Sequence, residues 1–309
     1  MRTITISAKY DNKRIDRVLK DIFNRAPASA IHKALRKKDI KVNGIRASKE
    51  TILHKGDTVD IYINDDILDG IDSNSSYINN KGFSIVYEDQ NLIIINKAQG
   101  VPVHPDREQT TGTLIDRVHS YLIEKGEYNP ENPDVFAPSL CHRLDRNTGG
   151  IVIIAKNAVS LKVLLEAIKN KSIKKYYQCI VHGVPSKKNA ELHDYLTKDE
   201  RKSRVFISNT KTPGALEIIT RYKVLSEDNN SSRLEVELVT GRTHQIRAHL
   251  AYIGHPIIGD GKYGTNETNR SSSFKFQALW AYKVKFEFKE QNHLYYLNNR
   301  IFEVEPEFV

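Results

Sequence analysis

The chain has 309 residues and carries 47 lysines and arginines against 38 aspartates and glutamates, a formal net charge of +9. This length predicts more than one domain, and the basic balance favours a polyanionic partner or an acidic membrane surface without choosing between them. About 18 consecutive apolar residues would be needed to span a membrane, and the sequence has no such run and no apolar secretory signal. We therefore expect a cytoplasmic protein that is not bound to a membrane. The two cysteines exclude a disulfide scaffold and are too few for a zinc site without histidines.

Residues 1–64 predict a small α+β unit that holds most of the positive charge, with 15 lysines and arginines against 7 aspartates and glutamates. Apolar residues at helical spacing predict helices over Ile15–Phe23 and Ala28–Lys37. The segments IKVNGIRA and DTVDIYI predict strands, and Asn43-Gly44 fits a tight hairpin turn because both residues tolerate positive φ.

The second predicted helix has a basic surface. Its apolar face contains Ile31 and Leu35, so Lys33, Arg36 and Lys37 project elsewhere. Residues 65–82 follow as a predicted linker, since they are rich in Asp, Ser, Asn and Gly and have no sustained period.

Residues 83–309 predict a second, larger domain. Apolar strand-like runs recur along it, namely FSIVY, LIIIN, IVIIA, YQCIV, LEIITRYKVL, RLEVELV and YKVKFEF. Helical spacing interrupts them at Leu114–Glu124, Asn157–Lys169 and His244–Ile253. The pattern predicts an α+β fold whose mixed sheet is rich in antiparallel strands.

One loop in this domain places a carboxylate between two arginines. Residues 142–150 read HRLDRNTGG and lead directly into the strand IVIIA. The guanidinium groups of Arg143 and Arg146 would favour the charged form of Asp145, as a nucleophile or general base requires. The alternative is a solvated, charge-rich turn, so this string indicates chemistry only in combination with other segments.

A later segment, GRTHQIRAHL, predicts a helix that Thr243 can cap. His244 and Arg247 then share a face distinct from the apolar one. An arginine there can pair with a buried carboxylate or hold a phosphate, whereas the alternative is a hydrated helix face.

A strand with adjacent tyrosines follows basic residues in KKYYQCIVHG. An aromatic ring beside cations suits stacking on a nucleobase. The alternative is an ordinary edge strand, in which tyrosine is common.

Together and in this order, these segments resemble the RluA family of pseudouridine synthases. The family motif HRLDxxTSG appears as HRLDRNTGG, with Gly149 at the usual serine. The resemblance includes an NKPxG-like segment with Ala98 at the usual proline, and FQALWAYKVKF with Trp280 at the usual histidine. It covers essentially residues 83–290, and the basic residues 1–64 resemble an S4-type RNA-binding domain.

The resemblance implies an enzyme that isomerises uridine in structured RNA without a cofactor or metal, acting as a monomer. An S4-like unit in front of such a domain suggests large-subunit ribosomal RNA as the substrate. Transfer RNA is the alternative substrate, and a non-catalytic RNA-binding or ribosome-assembly protein is an alternative function. A metal-dependent hydrolase using His142, His244, His249, His255 and Cys141 is disfavoured, because no HExxH or paired CxxC spacing occurs.

The resemblance also implies the roles of individual residues. Asp145 would be the essential acid, either adding to the ribose or abstracting a ribose proton, and the sequence leaves both routes open. Arg247 would pair with Asp145, and Tyr177 would stack on the uracil and take part in proton removal at C5. His142 is interpreted as structural. The residues expected to contact RNA are Arg143, Arg146, Lys175, His244, Lys33, Arg36 and Lys37.

Overall fold

The computed structural model describes most of the chain: residues 2–23, 31, 34–36, 38–62, 82–105, 109, 111–132, 134–199, 203–265, 269 and 274–308. The chain divides into two compact units, Met1–Lys81 and Gly82–Val309. Of the predicted linker over residues 65–82, only Gly82 lies within the described residues. Within this described part, no helix has both the length and the apolar character needed to cross a membrane.

Among its described residues, the first unit combines a helix of eight residues, further helical residues at 31 and 34–36, and two small sheets. Its elements are β1 (Arg2–Thr5), β2 (Lys13–Arg14), α1 (Ile15–Ile22), β3 (Ile40–Val42), β4 (Ile45–Arg46), β5 (Ile52–Leu53) and β6 (Thr58–Ile61). Four strands form a sheet in the order β1-β6-β3-β4, and β2 pairs with β5. The predicted hairpin is confirmed, because Asn43 and Gly44 have φ of 52° and 80° between paired strands β3 and β4.

The predicted helix over residues 28–37 lies only partly within the described residues. Ile31 and Leu35 are buried in the core of the first unit, as the apolar pattern predicts, and Arg36 is exposed. Lys33 and Lys37 lie outside the residues whose side chains are described.

In the part of the second unit that the structure describes, there are eleven strands and three α-helices. The strands are β7 (Phe83–Glu88), β8 (Leu92–Lys97), β9 (Ser139–Leu140), β10 (Gly149–Ala155), β11 (Ile173–His182), β12 (Asn189–Asp199), β13 (Arg204–Ser208), β14 (Leu216–Glu227), β15 (Ser231–Leu238), β16 (Leu279–Phe286) and β17 (Ile301–Glu303). The helices are α2 (Leu114–Glu124), α3 (Ala158–Lys169) and α4 (Gln245–Tyr252).

These strands form one sheet, ordered β13-β12-β14-β15-β11-β16-β10-β8-β7, with β9 added to β10 and β17 to β16. Only β10 and β16 are parallel among the described pairs, and all the others are antiparallel. The predicted α+β fold with an antiparallel-rich mixed sheet is therefore confirmed. Strand β10 is buried along its whole length. The loop that precedes it is therefore anchored at its C-terminal end to a buried strand of the sheet.

Two predictions for this unit were incomplete or wrong. The hairpin of β12 and β13 was not predicted, because β12 alternates between exposed and half-buried positions and has no apolar run. Thr243 does not cap α4. The N-cap is His244, with a left-handed φ of 54°, and the side chain of Gln245 instead accepts from the backbone N–H of Arg242.

Gly149 and Trp280 face each other in the parallel β10–β16 pair. A Cβ at Gly149 would lie 2.2–2.5 Å from three atoms of the Trp280 ring. The two departures from the family pattern are therefore one packing arrangement, in which the indole occupies the space of a side chain at position 149.

Gly149→Ser should destabilise the protein by about 1–3 kcal/mol, the usual cost of overpacking a core. Adding Trp280→His, which removes the larger ring, should recover much of this loss. Urea denaturation gives the free energy of unfolding of each variant. Gly261→Ser is the matched control, because a Cβ at Gly261 meets no atom within 4 Å. Equal stability of Gly149→Ser and the wild type would contradict the packing argument.

Candidate active site

A cavity of about 700 Å³ lies beside the loop that joins β9 to β10. It brings together six residues that the sequence analysis selected: Asp145, Tyr177, Arg247, Arg143, Lys175 and His244. Arg146 is not part of its lining, and Arg36 belongs to the first unit. The cavity is therefore the candidate active site, because most of the predicted catalytic and RNA-contacting side chains line it.

Asp145 is held in a tight turn at one side of this cavity. The backbone N–H of Thr148 donates to the carbonyl oxygen of Asp145 over 3.0 Å. The carboxylate accepts a hydrogen bond of 2.7 Å from Nη1 of Arg247, and its side chain is 26% exposed. The acid is therefore fixed in direction but open on one side to a reactant.

Arg247 is buried in the first turns of α4 and bridges two carboxylates. Its Nε and Nη2 donate to the two oxygens of Asp260 over 2.7 and 2.9 Å, while Nη1 donates to Asp145. Burial lowers the pKa of Arg247, but the two carboxylates outweigh it and raise the pKa above its usual value. The hydrated-face alternative for Arg247 is therefore wrong.

Asp260 is the member of this network that the sequence analysis missed. Its side chain is fully buried, and Oδ1 also accepts from the backbone N–H groups of Lys262 and Tyr263. Burial raises the pKa of Asp260, but the hydrogen bonds and charge of Arg247 outweigh it and hold that pKa below its usual value. The carboxylate is thus ionised and holds the guanidinium in one orientation.

His244 lies close to the acid but carries no charge near neutral pH. Its Nε2 is 3.8 Å from Asp145, and its Nδ1 is 2.9 Å from the hydroxyl of Tyr263. Burial lowers the pKa of His244 to about 4, against the opposing effect of the Asp145 charge. A neutral imidazole can donate or accept a hydrogen bond here, but it does not neutralise the carboxylate.

Tyr177 places an aromatic ring in the cavity from the buried face of β11. The residue is 5% exposed and packs with the main core. Burial, with the nearby charge of Asp145, raises the pKa of its phenol. The hydroxyl therefore stays protonated at neutral pH.

The segment after β8 supports the Asp145 loop from behind. The buried Lys97 donates to the carbonyl oxygens of Ala98, Val101 and Arg146 over 2.9–3.0 Å. The backbone N–H of Gly100 donates to the same Arg146 oxygen. Burial lowers the pKa of Lys97 to about 7, although the charge of Asp145 opposes this shift. Lys97 was also missed, yet a lysine that ends the apolar run LIIIN was a visible signal.

The histidines considered for a metal site have separate partners. The ring of His142 accepts from the backbone N–H of Ile153 at Nε2, and burial lowers the pKa of His142 to about 3. His249 is bound by Thr220 and Asp194. In the described ranges, no three His, Cys, Asp or Glu side chains form a group that could hold a metal ion.

The arrangement is suited to attack or proton abstraction by a carboxylate. Asp145 is fixed by a guanidinium whose own position is set by a second, buried carboxylate. An aromatic ring at Tyr177 and neighbouring cations can receive a planar, extruded base and its phosphates.

Comparisons with known proteins agree with this chemistry. Residues 91–252 match the family model of RNA pseudouridylate synthases. An RNA pseudouridine synthase of Mycoplasma capricolum is 30% identical over 100% of this chain and 99% of its own length. The ribosomal large subunit pseudouridine synthase C of Vibrio cholerae is 29% identical over 92% of this chain and 88% of its own.

Among solved structures, human RNA pseudouridylate synthase domain containing 1 has the same fold in the shared region. The TM-score is 0.56 at 20% identity, over 69% of this chain and 81% of that protein. Because the family model matches more than half of the chain, and a relative of 30% identity spans all of it, the assignment does not depend on the fold. The chain is a member of the RNA pseudouridylate synthase family, of the RluA type, and is an enzyme that isomerises uridine in RNA.

Proposed function

We propose that this enzyme isomerises uridines in large-subunit ribosomal RNA, with Asp145 as the catalytic carboxylate. The observation that carries the catalytic part is the hydrogen bond of 2.7 Å between Asp145 and the buried Arg247 in the cavity. The ribosomal part is supported by the Vibrio cholerae relative, a ribosomal large subunit pseudouridine synthase that aligns with 92% of this chain.

In this proposal Asp145 acts on the sugar and Tyr177 acts on the base. Asp145 acts on the ribose of the extruded uridine, by addition to the sugar carbon or by removal of a ribose proton, while the bond to N1 breaks. The uracil turns and C5 bonds to the same sugar carbon, while the bond from that carbon to Asp145 breaks or the abstracted ribose proton returns to the sugar. Tyr177 stacks on the ring during this step. Its hydroxyl stays protonated, so it takes the C5 proton only as it releases its own proton to water, while N1 takes up a proton from water.

Mapping pseudouridine in total RNA from cells with and without the gene tests the substrate. We expect at least one modified position in large-subunit ribosomal RNA to disappear. If pseudouridine were lost only from transfer RNA, the substrate would be transfer RNA and not ribosomal RNA. Unchanged pseudouridine in all RNA would favour the non-catalytic, ribosome-assembly function.

Residues 1–64 are proposed to supply RNA affinity, because they carry 15 lysines and arginines against 7 acids. A chain lacking this unit should bind the RNA more weakly and with a smaller dependence on salt, since fewer phosphate contacts release fewer counterions. Filter binding at several salt concentrations measures both quantities. Replacing Arg36 and Lys37 by alanine should reproduce part of the effect, and an unchanged affinity and salt slope would indicate another partner for this unit.

A further inference from the structure

Lys175 is a cation of the cavity lining that forms no ion pair with any described residue. It lies on β11, two residues before Tyr177, which places it roughly 7 Å away along the strand. Among the described residues its ammonium group has no hydrogen-bond or ion-pair partner, and burial lowers the pKa of Lys175 to about 8. A Cβ added to Gly241 would lie 3.6 Å from its Nζ, so the facing wall is close.

The cavity lining adds further positive charge around Lys175. The exposed side chains of Lys171 and Arg242 also form no ion pair among the described residues. The acids in the lining are Asp145 and Glu237, and both are already paired with arginines. Lys175 is half-buried, and a partly desolvated charge without a partner costs free energy, so the cavity beside Lys175 favours an anion from outside the chain.

We propose that the cavity beside Lys175 binds one backbone phosphate of the RNA, from a nucleotide adjacent to the target uridine, with Lys175 as its central contact. Arg242 and Lys171 add contacts at the rim. The inference rests on the proposed function, because it takes the target uridine to be held between Asp145 and Tyr177. It adds that the cavity binds a strand, so a uridine without a neighbouring phosphate is a poor ligand.

A phosphate suits these groups better than a second base does. The three side chains offer only N–H donors and positive charge, and phosphate oxygens are pure acceptors. The separation of Lys175 from Tyr177 also means that a group bound at Lys175 is distinct from the ring stacked on Tyr177. The strand would thus be held at two points on either side of the reacting sugar.

The first test measures RNA binding by two full-length proteins, Asp145→Asn and the double variant Asp145→Asn with Lys175→Met. The Asp145→Asn change is present in both so that the RNA is not converted during the measurement. The ligand is a short RNA that carries the uridine identified by mapping. Loss of one phosphate contact should reduce the slope of log affinity against log salt by about 0.7–0.9. Lys289→Met is the matched control, because Lys289 is exposed and lies outside the cavity.

The second test replaces single phosphates of that RNA by uncharged methylphosphonates. Wild-type affinity should fall at one linkage beside the target uridine, and Lys175→Met should lose nothing further at that linkage. The proposal is overturned if no adjacent linkage matters to the wild type, a result that requires no folded variant. It is also overturned if Lys175→Met stays as sensitive as the wild type at every linkage.

These outcomes are separate from a failure of the proposed function. A target in transfer RNA would change only the RNA used for the measurements. Binding data that do not depend on Lys175 would remove the phosphate site and leave the assignment of Asp145 intact.

Discussion

Asp145→Asn should abolish isomerisation and leave RNA binding largely unchanged. The amide keeps the volume of the side chain and its oxygen still accepts from Arg247, but it can neither add to the ribose nor remove a proton from it. Turnover should fall by at least about a thousandfold, the scale seen when a nucleophile is removed from an enzyme.

Release of tritium from RNA labelled at C5 of uridine measures this loss, and filter binding measures the affinity. Asp134→Asn is a suitable control, because Asp134 is exposed and lies outside the cavity. Substantial tritium release by Asp145→Asn would remove Asp145 from its proposed role, whereas weak binding would assign it to substrate affinity.

Arg247→Ala should damage both stability and activity, because Arg247 pairs with two carboxylates at once. The variant would leave the fully buried Asp260 without its cation, and removing one partner of a buried ion pair typically costs about 3–5 kcal/mol. Asp145 would also lose the donor that sets its direction. We therefore expect a lower free energy of unfolding in urea and slow tritium release from labelled RNA.

Two further variants, Arg247→Lys and Asp260→Asn, separate the contribution of the positive charge at position 247 from that of the guanidinium orientation. Lysine restores the charge but not the planar fork, so it should recover only part of the activity. Asp260→Asn leaves the Asp145–Arg247 pair in place but loosens the guanidinium. It should lower kcat with little change in KM, since the residue does not line the cavity. Near-normal activity of Arg247→Ala at neutral pH would contradict the role of the pair.

Much of the fold could be predicted where a local pattern was strong. Helix α2 has the predicted bounds because Thr113 and Asp116 form a capping box at its start and its apolar residues are spaced for one buried face. The strands IVIIA and LIIIN are continuous apolar runs, and each belongs to a strand that is paired on both sides in the sheet.

The positions of Asp260 and Lys97 in the site depend on long-range contacts, and the helical and strand periodicity of the sequence does not predict such contacts. Asp260 meets Arg247 across a segment that leaves α4 and then contains two glycines, Gly254 and Gly259, where neither helical nor strand spacing applies. Lys97 meets the Asp145 loop over 49 residues through a backbone oxygen, and any residue type could supply that oxygen. Such contacts depend on the order of strands in the sheet, which local patterns do not determine.

The packing of Gly149 against Trp280 has a consequence for how this sequence arose. With the serine and histidine usual in the family as the starting pair, a histidine-to-tryptophan change would have driven the ring into the serine side chain, since 2.2 Å separates that ring from a Cβ at position 149. A serine-to-glycine change would only have opened a gap. The favourable route therefore passes through glycine first, and once tryptophan fills the gap the earlier step is difficult to reverse.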